Sequence, residues 1–251
     1  MFSPLGPPLD VLTKTKSQSR PAHRSSKSTS QPSEAASPAA RAAISLEYAS
    51  LRNRSHCPLG LYVVPTAETL LVWDAVLFIH QGYYADSILK FKLTFPYNYP
   101  ERPPAVQFIN DVFHPLISSS GTFALTPQIR AWRPNQHHVF DVLHFIKAAF
   151  KRDVLDKIEE ADCLNKEAYK RHKLSVWYTT MILDRYHEST TSFAALATQT
   201  SSLSQSDTAL YDKGQFSLKT KPAHAMHFAK LKVKTLKEER ERLGFGEWQL
   251  D

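Results

Sequence analysis

Glycine, cysteine and long apolar runs are scarce in this sequence. Seven glycines occur in 251 residues, and none belongs to a G-x-G-x-x-G or Walker pattern, which excludes the common nucleotide-binding loops. Two cysteines, Cys57 and Cys163, exclude a disulfide scaffold and a four-cysteine zinc site, and they indicate reduced thiols in a cytosolic protein. Because no apolar run approaches ~20 residues and the first ten residues lack a signal pattern, we expect neither a transmembrane segment nor a secretory signal.

Positive charge is concentrated near the ends of the chain. The net charge is +7, with the excess of Lys and Arg in residues 1–41 and 213–242, whereas residues 42–212 are nearly balanced. A nucleic-acid-binding domain more often carries its positive stripe on the folded part, so we expect no nucleic-acid partner, with binding through the basic tails as an alternative. Basic tails also fit acidic partners, a membrane surface or simple solubility.

Composition divides the chain into four parts. Residues 1–40 are rich in Ser and Pro, basic and poor in large apolar side chains, which predicts a disordered tail. Residues 41–188 have the composition of a folded domain. The Ser/Thr-rich residues 189–213 are interpreted as a linker, and residues 214–251 as a basic amphipathic C-terminal helix.

Hydrophobic periodicity predicts an α+β fold for the folded domain. A first helix begins near Arg41, and helical periodicity returns from His138 and again over residues 164–187. Between them lie four β-rich runs, at residues 59–65, 69–81, 87–96 and 104–110. In the third run apolar residues alternate with Lys90, Lys92 and Thr94, which predicts one face in solvent. Because the connections are short, we expect antiparallel neighbours.

Two segments carry more specific information. The first is FPYNYPERPP (residues 95–104), a proline-rich crossover in which Tyr99–Pro100 is a candidate cis peptide. The second is VFHPLISSSGTFALT (residues 112–126), followed by AWRP at residues 131–134.

Together these segments resemble the core of the ubiquitin-conjugating enzyme family. That family has a Y-P-x-x-P-P turn, matched here by residues 99–104, then an H-P-N tripeptide, a glycine, a catalytic cysteine three residues after it, and a Trp-bearing loop, matched by Trp132. The Asn-x-Glu-Ala start of a later helix is matched from Asn165. The resemblance covers about residues 42–187. It implies a four-stranded antiparallel meander flanked by helices, with a C-terminal helical extension.

The catalytic positions depart from the family pattern. Ala124 stands three residues after Gly121, where the resemblance implies the nucleophile, and the tripeptide reads His114, Pro115, Leu116. A methyl group cannot form a thioester. The leucine lacks the amide that would donate to the oxyanion, a loss that typically costs ~10²–10³ in rate. We call these positions the degenerate site; its five residues are His114, Pro115, Leu116, Gly121 and Ala124. We therefore expect a pseudo-enzyme without catalytic residues.

The cysteines and the paired histidines could support a different chemistry. An active enzyme with a displaced cysteine is an alternative, but the acidic residues around Cys163 would raise its pKa. The pairs His137–His138 and His224–His227 have no carboxylate or cysteine at ligand spacing. We therefore expect no metal and no cofactor.

Among inactive variants the sequence is most similar to the Fused Toes or Akt-interacting group. The residues that carry this similarity are LEYASLRN (46–53), PLGLYVVP (58–65) and VWDAVLFIHQGYYADSILKF (72–91). The resemblance implies a cytoplasmic adaptor in a complex with a Hook-family protein and a further subunit, linking dynein–dynactin to endosomes or vesicles. It also implies an Akt-type kinase as a partner. The alternative is a variant that binds ubiquitin weakly and assists an active conjugating enzyme.

An apolar stripe marks the C-terminal helix as a candidate partner-binding surface. Val233, Leu236 and Leu243 follow a 3–4 spacing, and Phe245 and Trp248 form an apolar tip after the helix. Three interpretations remain open: the stripe packs on its own domain, on a partner's helices, or on an anionic membrane.

Overall fold

A computed structural model describes residues 36–181, 192–211, 224, 226 and 228–244. Its first helix, α1, spans Pro38–Ser50, and the Ser37 side chain caps it by accepting the Ala40 amide N–H at 3.0 Å. Ala40 and Ile44 are fully buried. The folded domain therefore begins before residue 41, and the predicted tail boundary at residue 40 lies inside a helix. The remainder of that tail lies outside the described residues.

A four-stranded antiparallel sheet in sequential order follows α1, as predicted. Its strands are β1 (Leu61–Pro65), β2 (Val72–Phe78), β3 (Ile88–Thr94) and β4 (Ala105–Phe108). One face of the sheet is entirely apolar and forms the core together with the helices. The largest buried side chains on this face are Trp73, Leu77, Leu89, Phe91 and Leu93.

Helices follow the sheet in the order in which the periodicity placed them. The two main helices of the domain are α2 (Val139–Ala149) and α4 (Lys166–Met181), and the short helix α3 (Arg152–Leu155) lies between them. The start of α4 is fixed by Asn165, whose Oδ1 accepts the Ala168 amide N–H at 3.0 Å. This cap confirms the helix start that the Asn-x-Glu-Ala pattern predicted.

The presumed linker contains two further helices, which corrects its assignment. Helix α5 spans Phe193–Ser204 and α6 spans Asp207–Tyr211. The Phe193 ring is fully buried against Tyr83, Tyr84 and His172. The hydroxyl-rich composition suggested a linker because such residues are usually solvated, but here three hydroxyls bond to the backbone of the domain.

These three hydroxyls hold α5 against the ends of strands and loops. Ser204 Oγ accepts the Ile88 amide N–H at 3.0 Å, and Thr200 Oγ1 accepts the Phe113 amide N–H at 3.1 Å. The Ser201 hydroxyl donates to the Ala85 carbonyl at 2.5 Å. Because α5 satisfies backbone groups at the margin of β3, it is part of the folded domain, which extends beyond residue 188.

The second face of the sheet is covered at its centre, contrary to the prediction of a solvent-exposed face. Lys90 is only 3% exposed, and its ammonium donates to the Ala209 and Leu210 carbonyls at 2.8 and 3.2 Å. His224 is buried and donates from Nε2 to the Ala75 carbonyl at 3.1 Å. The alternation predicted for β3 is present, but Lys90 on its polar face is covered by distant segments.

The C-terminal segment reaches this face before its helix begins. The Phe228 ring lies 6.2 Å from that of Phe78, and residues 228–232 have no helical structure. The last helix, α7, spans Val233–Arg242. Of the helix predicted over 214–251, the described residues contain α7, and residues 228–232 before it are not helical.

Candidate functional site

The degenerate site lies in the loop between β4 and α2. This loop folds back on itself and on β4, with isolated bridges between Ile117 and Phe123 and between Gln107 and Thr122. Gly121 has a φ of +85°, and a Cβ there would collide with the Phe108 carbonyl. Only glycine therefore fits the turn that returns the chain to residue 124.

Ala124 lies on the inner side of this loop and is 9% exposed. Its amide N–H donates to the Leu116 carbonyl at 2.8 Å, so the structure does bring the two altered positions together. Its side chain is a methyl group within the hydrophobic core. Nothing at this position can act as a nucleophile.

Leu116 occupies the second altered position and is fully buried. An isobutyl group at this point packs into the core and presents no hydrogen-bond donor. Beside it the buried Pro115 carbonyl accepts the Asn165 amide N–H at 2.9 Å, which ties the loop to the start of α4. The altered site is therefore filled with apolar side chains.

His114 supports the same loop from inside the core. Its Nδ1 accepts the Leu116 amide N–H at 3.0 Å, so Nε2 carries the hydrogen and donates to the Ala149 carbonyl, also at 3.0 Å. Both ring nitrogens are thus used by the neutral form. Burial lowers the pKa of His114 to about 4, the Ala149 hydrogen bond opposes this change, and His172 adds to it. His114 is therefore a structural histidine.

Neither cysteine has the environment of an activated thiol. Burial, followed by the charges of Asp162 and Glu160, raises the pKa of the Cys163 thiol to about 11, and its Sγ donates to the Glu159 carbonyl at 3.1 Å. Burial also raises the pKa of Cys57, whose thiol donates to the Leu61 carbonyl at 3.3 Å. The sequence prediction for Cys163 is confirmed, although burial contributes more than the acidic neighbours.

A buried carboxylate that the sequence did not single out connects three parts of the site region. Glu47 of α1 accepts the Tyr99 hydroxyl at 2.8 Å and the Val139 amide N–H at 3.1 Å, and it lies 3.0 Å from Nδ1 of His138. Burial of the Tyr99 hydroxyl, followed by the charge of Glu47 and the hydrogen bond to it, raises the pKa of Tyr99. Glu47 therefore caps α2 from another helix, which complements the dipole of α2.

The proline-rich crossover is fixed beside this carboxylate. The Tyr99–Pro100 peptide is cis, as its sequence suggested. Trp132 Nε1 donates to the Pro100 carbonyl at 2.6 Å, so the Trp-bearing loop rests on the crossover. The two motifs that carried the family resemblance are therefore in direct contact.

The candidate partner-binding residues lie apart from this core network. Val233, Leu236 and Leu243 are 69%, 42% and 61% exposed, and none of the residues in α7 is buried. Phe245 and Trp248 lie outside the described residues. The stripe on α7 is therefore an exposed apolar surface and is not covered by the described part of its own domain.

The predicted histidine pairs have other partners. His138 faces Glu47, whereas His137 Nδ1 accepts the Arg133 amide N–H at 2.9 Å. His224 lies outside any helix, and His227 is outside the described residues. Within the described ranges, no group of three His, Cys, Asp or Glu side chains could hold a metal ion.

Comparison with known proteins agrees with this architecture. The family described as "Ubiquitin-conjugating enzyme" matches residues 43–181. "Protein crossbronx-like" from Drosophila virilis is 39% identical over 94 residues, which cover 36% of this chain and 37% of the relative. No helix among the described residues is long and apolar enough to cross a membrane.

Two further relatives carry a different name. "Protein AKTIP homolog" from Nematostella vectensis is 36% identical over 129 residues, or 51% of this chain and 41% of the relative. "AKT-interacting protein" from Homo sapiens is 37% identical over 111 residues, or 43% and 36%. This chain thus spans between 36% and 41% of the length of the relatives compared.

Proposed function

Because the chain belongs to the ubiquitin-conjugating enzyme family, we propose that it is a non-catalytic member that acts as an adaptor. The observation that carries this proposal is the degenerate site. Its nucleophile position is a methyl group at Ala124, and its donor position is a buried leucine at Leu116. The fold is retained, but apolar side chains replace the thiol and the amide that catalysis in this family requires. This pattern supports a role in binding.

A thioester assay tests the absence of catalysis. With activating enzyme, ATP and ubiquitin, the chain should form no reducible thioester, because neither cysteine has an activated thiol. The variant Ala124→Cys supplies a thiol but should still transfer little ubiquitin to lysine, because Leu116 cannot donate to the oxyanion. A thioester band on the unmodified chain that disappears in Cys57→Ser or Cys163→Ser would overturn the proposal.

The adaptor proposal includes specific partners. Similarity to the Fused Toes or Akt-interacting group supports a place beside a Hook-family protein and a further subunit, in a complex that links dynein–dynactin to endosomes or vesicles. The relatives named "AKT-interacting protein" support an Akt-type kinase as a second partner. We place the protein in the cytoplasm, associated peripherally with this transport machinery.

The exposed stripe on α7 is the proposed surface for the Hook-family protein. Replacing Val233, Leu236 and Leu243 with Asp should abolish capture of that partner without lowering the melting temperature, because these side chains are exposed. A control with the same change at exposed Leu46, Ile109 and Leu174 should retain capture. Normal capture by the α7 variant would refute this surface, and loss of liposome binding alone would indicate a membrane.

A further inference from the structure

A groove runs along the outward side of α2, apart from the stripe on α7. It encloses about 700 Å³ between the helix, the loop of residues 54–59 and residues that follow the degenerate site, including Ile129. The helix contributes Asp141, His144 and Ala148 at helical spacing, and Lys151 follows shortly after its end. The lined part of α2, from Asp141 to Ala148, is about 10 Å long at 1.5 Å per residue.

The walls of this groove are held in place by the protein itself. His144 Nε2 donates to the Ser55 carbonyl at 2.8 Å, and the Lys147 ammonium donates to the Leu59 carbonyl at 2.5 Å. These two bonds attach the loop of residues 54–59 to α2. A ligand would therefore meet a surface that is already formed, which lowers the entropy cost of binding.

Positive charge predominates among the lining side chains. Arg54, Lys147 and Lys151 line the groove, and Asp141 is the only carboxylate among the described residues that do so. The Asp141 carboxylate already accepts the His138 amide N–H at 2.8 Å. No described carboxylate forms an ion pair with Arg54 or Lys151, so these two cations are available to an anionic ligand.

Apolar side chains lie between these charges and narrow the choice of ligand. Leu59 is 81% exposed at one wall and Ala148 is half-buried, whereas Ile129 and Phe145 lie deeper, at 7% and 5% exposure. Single-stranded nucleic acid would use exposed aromatic faces for stacking, whereas this surface is mainly aliphatic. The basic N-terminal residues 1–35 of this chain have the wrong charge to occupy it.

We propose that the α2 groove binds an acidic, amphipathic peptide segment of a partner protein. Glutamate or aspartate side chains of that segment would pair with Arg54 and Lys151, and its aliphatic side chains would contact Leu59 and Ala148. This site goes beyond the adaptor proposal, because it adds a second docking surface with a different ligand chemistry from α7. Two separate surfaces would let one molecule connect two partners.

The test uses a fluorescein-labelled peptide of about eight alternating Glu and Leu residues, long enough in extended form to span the groove. Fluorescence anisotropy should show binding to the full chain. The double variant Arg54→Glu, Lys151→Glu should weaken it about tenfold. The matched control Arg102→Glu, Lys157→Glu makes the same charge change at exposed residues with no described ion pair, and should change affinity by less than about twofold.

Three further arms make the proposal refutable. A peptide with Lys in place of Glu should not bind, and Leu236→Asp on α7 should leave binding of the acidic peptide unchanged. Equal weakening in both double variants would show a general charge effect and overturn the proposal, as would tighter binding of an oligothymidylate of equal charge. Loss of peptide binding in Leu236→Asp would assign the peptide to α7. If only capture of the Hook-family protein failed, the proposed adaptor partner would be refuted, whereas the proposal for the α2 groove would stand.

Discussion

His114 illustrates how a residue of the family motif serves the fold when catalysis is absent. Its neutral ring connects Leu116 to Ala149 through both nitrogens. Protonation would require Nδ1 to donate where it now accepts the Leu116 amide N–H. The altered loop therefore depends on an uncharged imidazole, and its stability is linked to pH.

This linkage gives a prediction with a definite sign. The pKa of His114 is about 4 in the folded state and 6.5 ordinarily, so only the unfolded chain gains this proton as the pH falls below 6.5. The free energy of unfolding should therefore decrease between about pH 6.5 and pH 4, by roughly 3 kcal/mol from this residue. Urea unfolding at several pH values measures the effect.

The variant His114→Asn separates this effect from other titrating groups. Its side-chain oxygen can still accept the Leu116 amide N–H but has no proton to gain in this range. Burial also lowers the pKa of His172, which contributes in the same direction in both proteins. The difference between the two proteins should therefore shrink as the pH falls, and parallel curves would contradict the assigned role.

At the scale of elements, Glu47 joins α1 to the start of α2 and to the proline-rich crossover. Replacing Glu47 with Ala would leave the Tyr99 hydroxyl and the Val139 amide N–H without their acceptor in the interior. We expect a loss of about 2–4 kcal/mol in the free energy of unfolding, measured by chemical denaturation. Leu46→Ala on the same helix, at a position that is 72% exposed, should cost less than about 0.5 kcal/mol.

The comparison of Glu47→Ala with Leu46→Ala can contradict this prediction. If Glu47→Ala and Leu46→Ala had equal, small effects, the buried carboxylate would not connect the three elements. Since Glu47→Gln keeps one acceptor oxygen, its stability should lie between those of the wild type and the alanine variant.

The elements themselves were largely predictable, because each has a local pattern. The strands follow alternation, α2 and α4 follow helical spacing, and the cis Tyr99–Pro100 peptide and the Asn165 cap have local sequence causes. Glu47 was not predictable in the same way, since its partners are 52 and 92 residues away in sequence. Its local sequence offered only a charged residue beside the apolar residues of α1.

The composition of α5 was misleading for a physical reason. Ser and Thr are typical of solvated linkers, but Thr200, Ser201 and Ser204 bond to backbone groups of the domain. Likewise, the lysine face of β3 follows the pattern of a solvent-exposed surface, yet Lys90 is covered by residues more than a hundred positions later. The local sequence pattern cannot show that residues distant in the chain will cover a surface.

For the whole molecule, the position of Phe193 predicts that the domain cannot end at residue 188. A chain truncated after residue 188 would lose this fully buried ring and the cover of Lys90. Loss of a buried Phe alone costs about 3–5 kcal/mol, so the melting temperature should fall by about 10 °C or more. Thermal unfolding followed by tryptophan fluorescence would measure this, and an unchanged melting temperature would restore the earlier boundary.

The opposite end of the chain gives a matched comparison. Deleting residues 1–35 should leave the melting temperature nearly unchanged, because the cap of α1 and its buried residues are retained. Deleting residues 1–40 removes the Ser37 cap and the buried Ala40, and should cost about 1–2 kcal/mol or more. Equal melting temperatures for the two deletions would show that the first turn of α1 contributes nothing.

The covering of the sheet by His224 has a consequence for biosynthesis. The Ala75–His224 hydrogen bond joins residues 149 positions apart, so this surface stays open while the intervening chain is made. Translation of the roughly 130 residues between β3 and His224 takes on the order of ten seconds at ~5–20 residues per second. During that interval Val76 and Phe78 face solvent on the ribosome-bound chain, where a chaperone can bind them. Products of premature termination would keep that face exposed, which marks them for degradation.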